Sequence, residues 1–249
     1  MQEITSMRLS RRQLLARLPA DGAPGSTAYA PPGADPAGIT PQLTRLDGTA
    51  RAAVVDALRA SATGAALFAD SERVMLVAPP FAIGSAASFG AINAGPLIEL
   101  LERERLIGVL LLRLGGFTVG LLRGERVLDP KTDQRFVKNR HKKGGQSQRR
   151  FERIREKQVR ELFDEACEVA RTKLSPHERR LEHVYLGGDR RTLGAFRKRC
   201  DYFERFGERL AARVLPVAGD PRRASLDAAA REIYSSDVLV VGAERPSAK

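Results

Sequence analysis

A chain of 249 residues, 43% hydrophobic and 29% charged, is long enough to bury one large core or two ordinary ones and too apolar to stay unfolded. Forty-two Lys and Arg against thirty Asp and Glu leave a formal charge of +12, which points to a polyanionic partner, nucleic acid ahead of an acidic membrane surface. Cys167, Cys200, His141, His177 and His183 have none of the spacings of a metal site, so metal chemistry is disfavoured and no cofactor is expected.

Arg8, Arg11, Arg12 and Arg17 interrupt the apolar residues of the first twenty positions. The unbroken run and small-residue cleavage site of a secretion signal are missing there, which predicts a short amphipathic helix and a cytoplasmic protein. Pro19, Pro24, Pro31, Pro32, Pro36 and Pro41, with several glycines, then predict a long loop without regular structure. Val54, Val55 and Leu58 at helical spacing predict a helix over 49–60, and residues 65–68 and 74–77 predict a hairpin across Asp70-Ser71-Glu72-Arg73.

Residues 108–122 set two apolar, branched segments around Gly115-Gly116, a strong hairpin signal. The apolar stretch Leu106 to Leu122 is interrupted by Arg113 and the glycine pair and is too short to span a membrane. Asp129-Pro130 reads as a turn and Asp133 as part of a polar connection. Phe151, Ile154, Val159, Leu162, Phe163, Ala166, Val169 and Ala170 predict a long helix over 147–173, with Ser147 as its N-cap and Pro176 beyond its end. Next come an expected strand at 184–186, a break at Gly187-Gly188, a helix over 193–210, a strand at 213–217, a helix over 226–234 and a strand at 238–241. The pattern is that of an α/β protein of two domains, 1–104 and 105–249. Cys167 and Cys200 fall on expected helices and read as reduced core residues.

Between Lys138 and Arg160 the cations are Lys138, Arg140, Lys142, Lys143, Arg149, Arg150, Arg153, Arg155, Lys157 and Arg160, opposed only by Glu152 and Glu156. An ordinary charge run is a solvated helix face. Here, however, Arg149, Arg150 and Arg153 crowd the first turns of a helix, where the macrodipole favours anions and each cation costs about 0.3 to 1 kcal/mol. Exposed amides and surplus arginine at that end suit phosphate docking. Gly144-Gly145-Gln146 stands at the tip, in an expected mobile loop over 138–148. The two glycines are either a flexible turn or a device that lets a backbone amide, that of Gln146, approach a substrate with no Cβ in the way.

Gly144-Gly145-Gln146-Ser147 followed by Arg150-Phe151, Arg153 and Arg155 resembles the catalytic loop and following helix of archaeal and eukaryotic class I peptide-chain release factors. The resemblance runs through the second domain and more faintly through the first, and is closest to the release-factor-like peptidyl-tRNA hydrolases of ribosome quality control, in their actinobacterial form. It implies a C-terminal domain that is ribonuclease-H-like, a mixed sheet with flanking helices as in release-factor middle domains. It also implies hydrolysis of peptidyl-tRNA in the peptidyl-transferase centre. Gly144, Gly145 and Gln146 would take the catalytic roles, with no protein general base. Lys138, Arg140, Lys142, Lys143, Arg149, Arg150, Arg153 and Arg155 would hold ribosomal RNA. The expected partners are the large ribosomal subunit, peptidyl-tRNA and ribosomal RNA, met by a monomer without membrane contact, the first domain touching tRNA or ribosome. No stop-codon-reading motif is seen and nothing after Lys249 could recruit a GTPase, so rescue of stalled large subunits is expected ahead of codon-directed termination.

Two other readings stay open. A rescue factor could dock on ribosomal RNA without chemistry. A ribonuclease-H-like nuclease could use clustered carboxylates with magnesium, drawn from Asp129, Asp133 and Glu152, although these form no evident inward-facing set.

Overall fold

Each of the two expected hairpins lies inside a different sheet. The computed structural model describes residues 2–134 and 146–242, of which 134 and 146–149 are followed as backbone only. The elements run β1 (Ile4–Leu9), α1 (Arg11–Leu15), β2 (Pro24–Ala30), a 3-10 helix (Pro36–Leu43), α2 (Gly48–Ala60), β3 (Ala65–Ala69), β4 (Arg73–Ala78), β5 (Ala87–Ala91) and α3 (Gly95–Glu102). They continue with β6 (Leu106–Arg113), β7 (Gly116–Arg123), β8 (Arg126–Gln134), α4 (Gln146–Leu174), a 3-10 turn (Ser175–His177), β9 (His183–Gly188), α5 (Arg190–Arg197), a 3-10 stretch (Asp201–Arg209), α6 (Arg223–Ile233) and β10 (Ser236–Gly242). The chain divides into two units, Met1–Arg103 together with the chain from Ile233 onward, and Glu104–Glu232.

The first unit is an antiparallel six-stranded sheet in the order β1-β10-β4-β3-β2-β5. Its central strands are apolar at consecutive positions because both faces are covered. Leu67, Leu76 and Leu239 pack on one side with Val54 and Leu58 of α2 and Leu43 of the 3-10 helix, while Phe68, Met75 and Val77 pack on the other with Leu14 of α1 and Leu97 and Leu101 of α3.

Several expectations are corrected here. The last strand belongs to the first unit, not to a continuous 105–249 domain, since β10 pairs with both β1 and β4, Val238 opposite Val77 and Met7. The expected N-terminal helix is a strand followed by a five-residue helix closed by a Ser10–Gln13 capping box. The proline-rich segment holds β2, with Pro24 at its first position where no ladder donor is needed, and a 3-10 helix with Pro36 in its first turn behind the Asp35 cap. In α3, Pro96 occupies the first turn in the same way.

The second unit is a four-stranded mixed sheet in the order β8-β7-β6-β9, antiparallel except for the parallel pair β6–β9. A core of Leu110, Leu112, Phe117, Val119 and Val184 on one face is covered by α4, α5 and the 3-10 stretch Asp201–Arg209. On the opposite face Leu226 of α6 lies against Gly120. The α/β class and the mixed sheet with flanking helices are thus as expected. The Asp129-Pro130 turn is instead a bulge inside β8, where Asp129 takes a φ of 41° and the register slips between Val119 and Leu121. Pro130 is tolerated because β8 is an edge strand. The helix expected over 193–210 is instead α5 and a 3-10 stretch with Cys200 extended between them, the two joined by ring contacts of Phe196, Phe203 and Phe206, and the strand expected at 213–217 contributes only a bridge, Leu215 to Gly187. Among the described residues no helix is long and apolar enough to cross a membrane.

Gly188 ends β9 at a φ of +137°, and a Cβ there would collide with the carbonyl oxygen of Leu112 on β6. Gly188→Ala is expected to lower stability by at least about 2 kcal/mol, read as a lower denaturant midpoint at unchanged slope.

Candidate functional site

Helix α4 has two halves of different character. Its C-terminal half buries Leu162, Phe163, Ala166, Ala170 and Leu174 in the core of the second unit. From Arg150 to Glu161, by contrast, no residue is buried; Ile154, Arg155, Gln158 and Val159 are half-buried and the rest are exposed. At 1.5 Å per residue, Gln146 stands roughly 24 Å along the axis from Leu162, the first buried residue after Arg150. Contact with the core begins at Val159, and the helix before it forms an arm with no buried residue from Arg150 on.

The base of the arm is fixed on two sides. Lys173 meets both carboxylate oxygens of Asp129 on β8 at 2.7 Å. Along another stripe, Asp164, Cys167 and Arg171, spaced three and four apart on one face of α4, meet three consecutive residues following α5. Asp164 accepts from Arg199 at 2.5 and 2.7 Å, Cys167 is bonded to Cys200, and Arg171 lies 3.8 Å from Asp201 and over the ring of Tyr202. The two cysteines are thus a disulfide, not the reduced core residues expected: one turn of α4 and the end of α5 bring them together across thirty-three positions, a proximity that no local pattern encodes.

The Arg199 guanidinium, by hydrogen bonding and charge, holds the Asp164 carboxyl below the usual carboxylate range. A carboxylate whose folded pKa is depressed adds stability above its unfolded value of about 3.9 and loses it as pH falls through the folded value. Asp164→Asn should consequently leave stability less dependent on pH below about pH 4 than the native residue does, checked by denaturant midpoints across acid pH. Equal acid dependence in both proteins would contradict the coupling.

Of the expected site residues, Arg150 and Arg153 are exposed on the arm, whereas Arg155 is half-buried and its Nε has no hydrogen-bond partner. Gln146 is the first residue of α4 and Arg149 lies in its first turn, so Ser147 is inside the helix and is not its N-cap. Lys138, Arg140, His141, Lys142, Lys143, Gly144 and Gly145, and with them most of the loop expected to be mobile, lie outside the described residues.

Two features were not foreseen. Phe151, expected on the packed stripe of α4, is 43% exposed among the arm's arginines. The charge is also divided: the first unit holds eleven cations and eleven anions, the second thirty-one against nineteen, so the whole excess of twelve belongs to the second. Of the three carboxylates weighed for metal chemistry, Asp129 and Asp133 lie on β8 and Glu152 on α4. Asp129 pairs with Lys173 and Glu152 is exposed on the arm, about 31 Å of helix away from Lys173. Among the described residues no group of three or more His, Cys, Asp or Glu could hold a metal ion.

Residues 105–239, more than half the chain, match the family described as Actinobacteria/chloroflexi VLRF1 release factor, acVLRF1. The chain belongs to this family. The match takes in every element of the second unit and runs into β10. The acVLRF1 chain is also similar to peptide chain release factor subunit 1 of Archaeoglobus fulgidus, at 37% identity over 101 residues, 41% of this chain and 25% of the relative. The same factor of Aeropyrum pernix is 41% identical over 80 residues, 32% of this chain and 21% of the relative. The chain therefore spans about a quarter of the length of these relatives. A solved archaeal translation termination factor, aRF1, aligns over 91% of this chain and 73% of its own at 22% identity, with a TM-score of 0.38.

Proposed function

We propose that this acVLRF1 protein releases nascent chains in the cytoplasm by hydrolysing peptidyl-tRNA on the large ribosomal subunit. The observation that carries the reading is the N-terminal half of α4, cationic and with no buried residue from Arg150 to Glu161, in a helix whose first residue is the Gln146 of Gly144-Gly145-Gln146. A long helix rooted in the core by its C-terminal half is suited to reaching a reaction centre enclosed in RNA, and its arginines suit phosphate contacts. Phe151 adds an exposed aromatic on which a base could stack.

In the proposed reaction, water attacks the ester carbonyl carbon, the bond from that carbon to the ribose oxygen breaks, and the ribose oxygen leaves with a proton. The Gln146 amide donates to the oxygen on which negative charge develops, and the Gln146 side chain narrows the pocket to water. The tRNA and ribosomal RNA supply the remaining groups. Gly144 and Gly145 allow the close backbone approach. Lys138, Arg140, Lys142, Lys143, Arg149, Arg150, Arg153 and Arg155 hold ribosomal RNA, while the charge-balanced first unit contacts tRNA or ribosome without a net electrostatic pull.

The test is purified protein added to large subunits bearing labelled peptidyl-tRNA. Peptide should be released at a rate that saturates with protein. Saturated binding without release would leave a rescue factor that only docks.

A further inference from the structure

We infer that the Cys167–Cys200 bond is a positioning cross-link for the arm, and that thiol–disulfide exchange at this bond sets the rate of release without changing how tightly the protein binds. The inference rests on the proposed function. It starts from leverage. Cys167 lies twenty-one residues from Gln146, about 31 Å along α4, so a tilt of about 5° at the base displaces the tip by about 3 Å. A misplacement of about 1 Å at a reacting centre can cost roughly 10²-fold.

Of the three rungs tying α4 to the residues after α5, the outer two are ion pairs between side chains 42–95% exposed. Exposed pairs of that kind constrain geometry weakly, which leaves the covalent rung between them as the firm one. It occupies the first buried turns beyond the stretch from Arg150 to Glu161, which has no buried residue, and this is the region where a pivot would form. The bond is also within reach of chemistry: Cys200 is 1% exposed, but Cys167 is only half-buried. A dithiol reductant can attack the Cys167 sulfur, expelling the Cys200 thiolate, and then close on its own mixed disulfide. Two electrons and two protons pass to the protein, which gains two thiols, and the reductant leaves as its cyclic disulfide.

The experiment compares the full chain as purified, after dithiol treatment, after re-oxidation with a low-molecular-weight disulfide, and as Cys167→Ser/Cys200→Ser. Labelled peptidyl-tRNA on large subunits reports release, thiol titration reports the bond, and circular dichroism reports the fold. Dithiol-treated protein and the double variant, both still folded, should show a maximal rate lower by at least about tenfold, at a half-saturating concentration within about twofold of the oxidised protein. Re-oxidation should restore the native chain and not the variant.

Equal maximal rates in the two redox states would overturn the inference and leave the proposed function standing. So would two free thiols in the protein as purified, a loss of rate that only follows loss of helix signal, or a change confined to half-saturation. No release from any form would overturn both.

Discussion

Gln146→Pro should lower peptide release by about 10² to 10³ while ribosome binding stays within about twofold of the native protein. Proline has no N–H, so the substitution removes the donor assigned to the developing oxyanion. It is a usable probe because Gln146 opens α4, and the first helical position is where proline's fixed φ and missing donor are tolerated. Gln146→Ala keeps the amide and removes only the side chain. It should retain more release than Gln146→Pro and admit larger nucleophiles, measured as a higher ratio of hydroxamate to free acid when hydroxylamine is present. If Gln146→Pro and Gln146→Ala released peptide at the same rate, the main-chain donor would not be the catalytic group.

The second large effect is electrostatic. Because the whole formal excess lies in the second unit and its densest stretch is the arm with the loop before it, binding to large subunits should fall steeply with salt. If six to ten phosphates are contacted, affinity should drop by about 10³ to 10⁵ between 50 and 200 mM salt. Arg150 and Arg153 are exposed on the arm, and replacing both with alanine should flatten the slope of log affinity against log salt by between about one and two, without changing the fold. Arg155 is half-buried, so its replacement should alter stability as well as binding. A flat salt dependence in the native protein would remove RNA phosphate contact from the account.

The elements legible in the sequence are those whose signal is local. The hairpins β3–β4 and β6–β7 each carry two apolar runs around a short turn, and α2 and α4 carry helical spacing over three or more turns. What failed depends on partners distant in the chain. The pattern Val238-Leu239-Val240-Val241 announces a strand but not its sheet, and β10 crosses back to the first unit to pair with β1 and β4. Strand β5 reads Ala-Ser-Phe-Gly-Ala and has little β propensity; it exists because β2 offers it an edge. The prolines from Pro19 to Pro41 were read as breakers, yet Pro24 and Pro36 each stand at the start of an element, where a missing N–H costs nothing.

The proposed site rests on the sequence in the same way. The cationic run and the Gly-Gly-Gln are contiguous in the chain, so Arg150, Arg153 and Gln146 could be named from it. The arm itself could not be seen, because an apolar stripe does not say where burial begins: Phe151 and Ile154 continue the stripe of Leu162 and Ala166, but Phe151 is exposed and Ile154 only half-buried. The ladder at the base joins residues more than thirty positions apart, so Asp164, Cys167 and Arg171 looked like ordinary helix residues until Arg199, Cys200 and Asp201 were set beside them.

The products of the reaction test the central claim most directly. Large subunits bearing peptidyl-tRNA, incubated with the protein in water enriched in oxygen-18, should yield a free peptide with one heavy oxygen in its terminal carboxylate and a tRNA whose 3′ end is intact. A shortened tRNA with the peptide still esterified to its terminal nucleotide would mean that the nucleic acid, not the ester, is cut, and would contradict the account.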